Sequence, residues 1–354
     1  MPRRKKSVKS ASIVILSYNS REDLEECIPS LMSQTYQDFE IIVVDNASTD
    51  GSEEFIRTNY PMIKVVQTGK NLGYPAGNNA GFEVAEGEYI VVVNPDTVAD
   101  PEWLSELIKP LKSDPTITAT TSKILIYSQK DRINTCANTN HHTGLTFCRG
   151  LNKLASEFDD YQPVGAVSGC SFAIRSDMLK NINGFDPDFF LYQEDADLSW
   201  RIRFAGGKIM YVPESVIYHK YKLSIAPWKE FYLERNRYLI LLKNFSLKTL
   251  LLLLPVLIVT EIVTMGHAVL NGPKYVKSKL LAYFWILQNI KIILTKRHET
   301  LSKKIITDGE FFRLLDGKIP FEQVIKNPML CEMADLVFNS FYISYFNLIK
   351  TKFI

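Results

Sequence analysis

The segment Asn94-Pro95-Asp96 follows a β-branched run at residues 90–93 and places a carboxylate at the end of a predicted strand. Pro95 has no backbone N–H to offer a neighbouring strand, so strand pairing must stop there. In open α/β sheets, ligands bind at the carboxyl ends of the strands. A carboxylate there, beside a short polar side chain, suits a hard divalent cation that also contacts phosphate oxygens. The alternative is that Asp96 only caps the helix predicted at residues 101–111.

A second group of carboxylates, Glu194, Asp195 and Asp197, opens another predicted helix. Acidic residues in a first turn favour the helix dipole, and this could account for all three. Three acids in four positions nevertheless exceed what capping requires. At helical spacing Glu194 and Asp197 share a face, whereas Asp195 points elsewhere. A carboxylate that projects alone from a helix N-terminus into a cleft is well placed to act as a general base.

Histidines occur at two places where metal binding has to be considered. His219 follows an alternating strand at residues 216–218, so it is either a structural histidine or a metal ligand in a chain with a candidate metal carboxylate. His141 and His142 are adjacent, and adjacent side chains cannot share one helix or strand face. We therefore expect this histidine pair to lie in a solvated loop, within a variable insertion at residues 128–163.

Strands and helices alternate four times within the first hundred or so residues. This alternation predicts an α/β fold with a doubly wound, Rossmann-like, mostly parallel sheet. The helix after the first strand has Pro29 inside its apolar pattern, and this proline is expected to distort it unless the helix begins late. The four predicted strands are residues 12–16, 39–44, 63–67 and 90–93.

Polar residues follow the first two strands, with Ser17 and Asn19 after the first and Asp45 after the second. The acids and small polar residues at 45–52, at the carboxyl end of the second strand, can bind a base or a ribose, but they also make ordinary turns and helix caps. After the third strand, glycines at residues 71–81 permit close backbone approach and precede a helix start that can bind an anion. This segment is neither a Walker loop nor a GxGxxG motif.

The composition bounds what this chain can be. Its 354 residues, of which 46% are hydrophobic, can bury an α/β domain and a further region. The net charge of +2 provides no field that attracts nucleic acid, so no nucleic-acid partner is expected. Only residues 1–10 are strongly basic, and this tail is either disordered or in contact with anionic lipid. The five cysteines form no CxxC pair, which favours a reducing cytoplasm over a disulfide framework.

Residues 246–354 are predicted to be helical and apolar, and two interpretations of this region are open. The run at residues 247–269 is interrupted by Pro255 and Glu261, so its apolar core is shorter than the ~20 residues of a spanning helix. The run at residues 280–294 carries aromatic residues and is flanked by basic ones. These features favour peripheral attachment to the cytoplasmic face of the cell membrane. The alternative is a soluble helical cap that packs on the preceding domain.

The motifs taken together resemble those of the inverting nucleotide-sugar glycosyltransferases of family two, which have the GT-A fold. The resemblance is to the rhamnosyltransferase-like branch, which builds surface polysaccharides and lipid-linked glycans. It covers residues 12 to about 244, and it depends on the order and spacing of several short segments. These segments are residues 12–19, 43–52, 71–81, 94–96, 169–177, 194–201 and 235–236.

The resemblance implies roles for individual residues. Asp195 matches the general base of the family, with Glu194 as its companion. The segment 94–96 takes the place of the family's Asp-x-Asp metal motif, and His219 matches a histidine that in some relatives completes the shell of Mg²⁺ or Mn²⁺. The first acid of that motif is Asn94 here, as is common in this branch. The positions that match the nucleotide-sugar site are Ser17, Asn19 and Asp45 for the base and ribose, Asn71 and Asn79 lining the same pocket, and Asn94 and Asp96 at the metal.

The reaction that the resemblance implies is a single displacement that inverts the sugar's anomeric configuration. An acceptor hydroxyl would attack the donor while the nucleoside diphosphate leaves, with residues 11–245 forming the GT-A domain. The implied donor is a UDP- or dTDP-linked sugar. The implied acceptor is a saccharide or a polyprenyl-linked glycan, in surface polysaccharide or glycoconjugate assembly.

Two other functions remain open from the sequence. A sugar nucleotidyltransferase uses a similar nucleotide-binding sheet, but it needs a glycine-rich phosphate loop with a lysine or arginine after the first strand. Residues 17–20 have no such composition. A non-catalytic partner of a glycan-assembly complex is the second alternative, and the presence of Asp96, Glu194 and Asp195 together argues against it.

Overall fold

The computed structural model describes residues 9–221 and 226–353. Most of the predicted basic tail lies outside the described residues, but Lys9 is described and pairs with Asp38 at 3.8 Å. The strands are β1 (Ala11–Ser17), β2 (Phe39–Asp45), β3 (Lys64–Gln67), β4 (Tyr89–Val93), β5 (Thr97–Ala99), β6 (Ile117–Ile126), β7 (Gln129–Thr135), β8 (Asn138–Asn140), β9 (Thr146–Cys148), β10 (Gln162–Pro163), β11 (Ser171–Arg175) and β12 (Lys208–His219). The α-helices are α1 (Arg21–Met32), α2 (Ser52–Asn59), α3 (Gly73–Val84), α4 (Trp103–Ser113), α5 (Ser176–Asn181), α6 (Glu194–Phe204), α7 (Pro227–Asn244), α8 (Leu247–Asn271), α9 (Pro273–Gln288), α10 (Ile290–Ser302), α11 (Asp308–Phe312), α12 (Pro328–Ala334) and α13 (Ser340–Lys352).

One large mixed sheet forms the centre of the structure, with its strands in the order β10-β12-β6-β11-β4-β1-β2-β3. Strands β1 to β4 are mutually parallel, and β11 is antiparallel to both β4 and β6. Strands β6 and β12 therefore run in the same direction as β1 to β4. Helices cover both faces of this sheet. The predicted doubly wound, mostly parallel α/β fold is confirmed.

The central strands are buried on both faces, as their continuous β-branched sequences predict. Ile13, Ile15 and Val43 belong to the apolar layer that contains residues of α1, α2 and α4. Val14 and Val44 belong to the opposite layer, which is completed by residues of α5 and α6. Helix α3 approaches this second layer closely, because Gly81 has no Cβ to meet the side chains of Val14 and Val44. The core thus fixes the positions of the strand ends.

The expected distortion of the first helix at Pro29 is not observed, since α1 runs unbroken from Arg21 to Met32. Pro29 lies in the last turn, so the missing N–H costs a single hydrogen bond near the helix end. The carbonyl of Pro29 still accepts a hydrogen bond from Ser33 N, at 3.1 Å. The helix therefore lies where the sequence predicts it, and it is longer and more regular than expected for a helix that contains Pro29.

The segment at residues 128–163 is more ordered than the variable insertion predicted from its polar sequence. It supplies β7, which pairs with β6, and the small β8–β9 sheet. The expectation that His141 and His142 lie in a solvated loop is wrong, because both side chains are fully buried. Their rings lie 4.0 Å apart, and His142 stacks on Phe346 of α13. Adjacent residues can share one environment here because the C-terminal helices cover the turn that carries them.

The C-terminal region is helical, and a buried polar network ties it to the preceding domain. The carboxylate of Glu261, midway along α8, accepts hydrogen bonds from Tyr238 on α7, at 2.8 Å, and from Tyr283 on α9. Arg237 and Lys279 lie within 3.2 Å of the same carboxylate, and both cations are fully buried. The glutamate that interrupts the apolar run therefore faces protein.

Helix α8 is long and apolar enough to cross a membrane by length and composition. Its residues nevertheless divide into two faces. Thr249, Leu253, Val256 and Thr260 are buried against the protein. The exposed side chains recur on the other face at helical spacing. They are Leu247, Leu251, Leu254, Ile258 and Ile262.

Candidate functional site

The segments singled out in the sequence meet at one edge of the sheet, because the strands that carry them run in the same direction. Ser17, the last residue of β1, lies opposite Asp45 at the end of β2. Asp96 follows β4, the neighbour of β1 on its other side. His219 is the last residue of β12 and pairs with Thr97 in β5. The fold therefore gathers residues that are about 200 positions apart in the chain.

The donor residues predicted at β1 and β2 lie at the neighbouring ends of these two strands. The hydroxyl of Ser17 is fully buried and has no hydrogen-bond partner among the described residues. A buried hydroxyl without a partner costs about 1–3 kcal/mol, so this group is poised to bond a ligand. Asn19 has a positive φ of 53°, and its side chain accepts a hydrogen bond from Thr49 N at 2.8 Å. Asp45 accepts a hydrogen bond from Ser48 N at 3.3 Å.

Asn71 and Asn79 occupy different places. Asn71 accepts a hydrogen bond from the side-chain amide of Asn46, at 3.0 Å, and so lies next to the end of β2. Asn79 lies six residues into α3, about 9 Å along the axis from the helix start. Both polar atoms of its amide bond the backbone of Phe185, at 2.8 and 2.9 Å. The structure therefore does not bring Asn79 to the strand edge with the other predicted donor residues.

Asp96 and His219 form a pair, with 3.2 Å between Oδ2 and Nε2. Because an amide oxygen can only accept, Nδ1 of His219 donates its proton to Asn134 Oδ1, at 2.8 Å. Burial lowers the pKa of His219, but its neighbours Cys170 and Asp96 outweigh burial and raise that pKa to about 10. Burial also raises the pKa of the Cys170 thiol.

The same pair suits a divalent cation that arrives with a phosphate ligand. Among residues 9–221 and 226–353, no group of three or more His, Cys, Asp or Glu side chains could hold a metal ion by itself. One carboxylate oxygen and one imidazole nitrogen would leave the remaining positions to diphosphate oxygens and water. The hydrogen bond from His219 to Asn134 orients the ring as in many metal sites. The residues present therefore fit a metal shared with a nucleotide.

The two acids at the start of α6 have different surroundings. Asp195 accepts hydrogen bonds at Oδ2 from Gly169 N, at 2.8 Å, and from Asn138 Nδ2, at 2.9 Å, and at Oδ1 from Ala196 N. Oε2 of Glu194 is buried and has no partner among the described residues. Burial raises the pKa of both carboxyls, and the charge of Asp195 further raises that of Glu194, to about 8. At neutral pH, Asp195 is therefore the ionised member and Glu194 the protonated one.

A single dipeptide, Gly169-Cys170, separates the carboxylate of Asp195 from the Asp96 segment. Gly169 N donates to Asp195, and Asn94 N donates to Cys170 O at 3.0 Å. This contact continues the antiparallel pairing of β11 with β4. The hydroxyl of Tyr74 donates to Gly169 O at 2.6 Å and fixes the peptide from the other side. The sheet thus sets the spacing between a candidate base and a candidate metal ligand.

The loop before α6 is held in an unusual backbone conformation. Phe190, Tyr192 and Gln193 all have positive φ, between 58° and 67°. Non-glycine residues rarely adopt this conformation, and it persists where the surroundings enforce it. Asn236 of α7 provides that restraint, since its side-chain amide donates to the carbonyls of Phe189, Leu191 and Tyr192 at 3.1, 2.9 and 2.6 Å.

Several residues that build the site were not predicted from the sequence. The sequence distinguishes Asn138 only as one polar residue within the segment 128–163, yet its side-chain amide donates a hydrogen bond to Asp195. Nothing in the sequence around Asn134 and Asn46 distinguishes them from ordinary strand or turn residues. Arg235 and Asn236 belonged to the resemblance without a role, and the structure places both against the loop before α6.

A comparison with protein families identifies the domain that contains the sheet. The model described as "Glycosyl transferase family 2" matches residues 12–182 of this chain. Residues 12–182 form a glycosyl transferase family 2 domain. The matched residues include Ser17, Asp45 and Asp96, and they end before Glu194, Asp195 and His219. The family predicted from the motifs is therefore confirmed.

The matches to curated relatives extend beyond that domain. The chain is 26% identical over 231 residues to an N-acetylglucosaminyl-diphospho-decaprenol L-rhamnosyltransferase of Mycobacterium tuberculosis, a match that covers 59% of this chain and 75% of the relative. It is 24% identical over 212 residues to a poly-beta-1,6-N-acetyl-D-glucosamine synthase of Staphylococcus epidermidis, covering 59% of this chain. That second match spans 49% of the synthase, about half its length. Both relatives are named as glycan-building enzymes.

A solved structure shares the fold. The crystal structure of GalNAc-T7 with UDP, GalNAc and Mn²⁺ superposes with a TM-score of 0.53 and 20% sequence identity. The superposition covers 61% of this chain and 44% of the other. At this level of identity the likeness supports the GT-A fold and no detail of the site.

Proposed function

We propose that this glycosyltransferase moves a sugar from a nucleoside diphosphate to a hydroxyl of a saccharide or lipid-linked glycan, with inversion at the anomeric carbon. The observation that carries the proposal is that one dipeptide, Gly169-Cys170, connects the two acidic segments. Gly169 N bonds the carboxylate of Asp195, and Cys170 O bonds the backbone of Asn94, two residues before Asp96. A base on one side and a diphosphate-binding group on the other suit a displacement in which the nucleophile and the leaving group occupy opposite faces of the sugar.

Asp195 is the proposed general base. A hydroxyl is a weak nucleophile until a base takes its proton, and a positioned carboxylate typically contributes ~10²–10⁴-fold. Its three hydrogen bonds favour the ionised form and fix its direction. Protonated Glu194 adds no negative charge beside it. The proton of the acceptor hydroxyl would pass to Asp195 as the bond to the anomeric carbon forms.

The donor would lie across the carboxyl ends of β1, β2 and β4. The free hydroxyl of Ser17 and the carboxylate of Asp45 are suited to hydrogen-bond a base or ribose. Asn19 and Asn71 make hydrogen bonds within the loops that follow these strands. Asp96 and His219 would hold a divalent metal, which as a Lewis acid neutralises charge on the leaving diphosphate.

The acceptor is proposed to be a glycan carried on a lipid diphosphate and met at the membrane surface. The first relative's name includes such an acceptor. The exposed apolar face of α8 supports the same conclusion, since residues on one side of a helix can insert into the boundary of a bilayer. The opposite side of α8 is buried against the protein through Thr249, Leu253, Val256 and Thr260. A helix with this division lies along the membrane plane, on the cytoplasmic face, and does not span it.

Product analysis tests the reaction. The purified chain is incubated with a panel of UDP-, dTDP- and GDP-linked sugars, Mn²⁺ or Mg²⁺, and a lipid extract as acceptor. A glycosyltransferase releases nucleoside diphosphate, whereas a sugar nucleotidyltransferase releases pyrophosphate, and a non-catalytic partner releases neither.

The variant Asp195→Asn is the matched test of the base. We expect at least ~100-fold lower turnover with little change in donor affinity, because the carboxylate acts on the acceptor. Asp160→Asn, a change at an exposed carboxylate, is the control. Turnover by Asp195→Asn near the wild-type value would contradict the assignment and leave Glu194 as the candidate.

A further inference from the structure

An aromatic surface lies beside the base and has no role in the donor site. Tyr192 is three residues before Asp195, and its ring lies 6.1 Å from that of Trp228 at the start of α7. Trp228 also contacts Tyr232, at 6.4 Å, and Tyr232 stacks on Phe190 at 5.5 Å. The restrained loop before α6 and the first turns of α7 therefore form one aromatic platform, which consists of Phe190, Tyr192, Trp228 and Tyr232.

The platform leaves a large apolar ring facing solvent. The side chain of Trp228 is 51% exposed, although its neighbours Tyr192 and Tyr232 are partly buried. Tryptophan is highly buried on average, so a half-exposed ring next to a reactive carboxylate marks a binding surface. The flat face of an aromatic ring packs against the C–H face of a sugar, while the hydroxyls of the sugar remain available to polar groups.

A cation without a carboxylate partner lies at the edge of this platform. Lys229 Nζ is 5.6 Å from the ring centres of both Tyr192 and Trp228. In the part of the chain that the structure describes, no acidic side chain pairs with it, and desolvation alone lowers the pKa of Lys229. A partly buried ammonium with free donors is suited to bind a phosphate group.

The platform is continuous with the reaction centre on one side and with an apolar surface on the other. Tyr221 lies 5.5 Å from the ring of His219, and its pKa is raised by burial and by the nearby Cys148 and Tyr192. Tyr221 thus bridges the metal pair and the platform. Farther along α7, Arg235 lies 4.7 Å from the ring of Trp285 on α9. Phe284, next to Trp285, is exposed.

We propose that Tyr192, Trp228 and Lys229 form the acceptor subsite, and that it takes a saccharide bearing a phosphate or diphosphate. The sugar stacks on Trp228, the phosphoryl oxygens bond Lys229, and one hydroxyl reaches Asp195. The lipid that follows the phosphate would lie on the exposed surface of α9. This assignment rests on the proposed function and identifies which residues of the site bind the acceptor.

The subsite is tested with the full chain and two acceptors that differ only in charge. One is a saccharide on an alkyl diphosphate and the other is the same saccharide as a neutral alkyl glycoside, with the donor that the product assay identifies. Lys229→Met should raise the KM for the diphosphate acceptor at least tenfold and leave the KM for the neutral glycoside unchanged. Trp228→Ala should raise both KM values. Trp228→Phe, which keeps an aromatic ring, should leave both KM values close to those of the wild type. Tyr161→Ala, at a ring that is 46% exposed away from the platform, is the control.

The outcomes separate the subsite from the proposed function. If Lys229→Met leaves the KM for the diphosphate acceptor unchanged, Lys229 does not bind acceptor phosphate and the subsite is wrong. If the variant instead weakens the Kd for UDP and Mn²⁺, measured by calorimetry, Lys229 binds the donor diphosphate and the subsite is equally wrong. If the wild-type chain transfers no sugar, the proposed function fails and the subsite falls with it.

Discussion

Glu194 and Asp195 are adjacent, yet the surrounding backbone gives them opposite protonation states. Asp195 receives three hydrogen bonds from N–H donors, which stabilise a carboxylate. Oε2 of Glu194 receives none from the described residues. Two carboxylates at such close range are unfavourable when both are ionised, so the proton stays on the acid with the poorer surroundings.

The variant Glu194→Gln should alter the pH dependence and leave the reaction at neutral pH largely intact. Because the pKa of Glu194 is about 8, wild-type kcat should fall above that pH as a second charge appears beside Asp195. Glutamine mimics the protonated acid, so the alkaline limb of the kcat–pH profile should disappear. Glu54→Gln, at an exposed site, is the control. An unchanged alkaline limb would contradict the assignment.

The same shift has a consequence for stability. The folded chain holds the proton of Glu194 up to a pKa of about 8, whereas the unfolded chain releases it near the ordinary glutamate pKa of 4.5. The folded state therefore binds more protons between these values, and the free energy of unfolding should fall as pH rises through that window. Glu194→Gln should remove this part of the decline, as measured by urea unfolding at pH 5 and pH 8.

Asp96 should matter to nucleotide binding mainly when a metal is present. Asp96→Ala removes one of the two side chains that fit a divalent cation, so the Kd for UDP with Mn²⁺ should rise about tenfold or more. In excess chelator, the variant and the wild type should bind UDP with similar affinity. Calorimetry measures the Kd for UDP under both conditions, with Asp160→Ala as the control. Equal affinity of Asp96→Ala and wild type in Mn²⁺, or full turnover in chelator, would contradict the metal assignment.

At the scale of elements, α3 and α7 shape the loop that presents the base. Gly73, the first residue of α3, has φ of +77°, and a Cβ there would overlap the backbone and ring of Phe190. Tyr74 N donates to the carbonyl of Phe190, at 2.7 Å. Asn236 restrains the same loop from α7. The loop before α6 is thus held between two helices that are about 140 residues apart in the chain.

Gly73→Ala should therefore displace the loop. The left-handed conformation alone costs an alanine about 1–2 kcal/mol, and the overlap with Phe190 adds to that. We expect a lower Tm and a reduction of kcat of tenfold or more. Gly266→Ala in α8 is the matched control, because a Cβ there meets nothing within 4 Å. That change should be neutral or stabilise by about 0.5–1 kcal/mol. Wild-type kcat in Gly73→Ala would show that loop geometry does not limit the reaction.

At the scale of the whole molecule, the proposed contact with a bilayer would be made by the exposed face of α8. Leu251 and Ile258 are 61% and 55% exposed, on the side opposite the buried Leu253 and Val256. The double variant Leu251→Glu, Ile258→Glu should abolish flotation with vesicles that contain anionic lipid, since each charge opposes insertion of the apolar face. Met62→Glu, at a residue 68% exposed near β3, should float like the wild type.

Extraction separates the remaining membrane arrangements. A peripheral chain should be released at least in part by alkaline carbonate or high salt. Resistance to both would indicate that α8 spans the bilayer. If the wild-type chain fails to float, the helical region is a soluble cap and the membrane assignment is wrong.

The sequence alone was sufficient to predict the sheet and the acids at its edge. β-Branched runs of four to six residues read as buried strands wherever they occur, since that pattern is local. The end of β4 at Pro95 follows from the missing N–H of proline, and the start of α6 follows from its acidic first turn. The order of these segments was also enough to identify the family.

Only the tertiary structure decided which polar side chains complete the site. Asn138 reaches Asp195 because it is bridged to Ala166, three residues before Gly169, which also bonds Asp195. Asn134 reaches His219 because β7 pairs with β6, the neighbour of β12. The polar sequence of residues 128–163 predicted solvent exposure, yet α13 buries His141 and His142. These contacts join residues tens to hundreds of positions apart. An asparagine or histidine has the same local preferences with or without such a partner, so its role depends on packing that no short segment encodes.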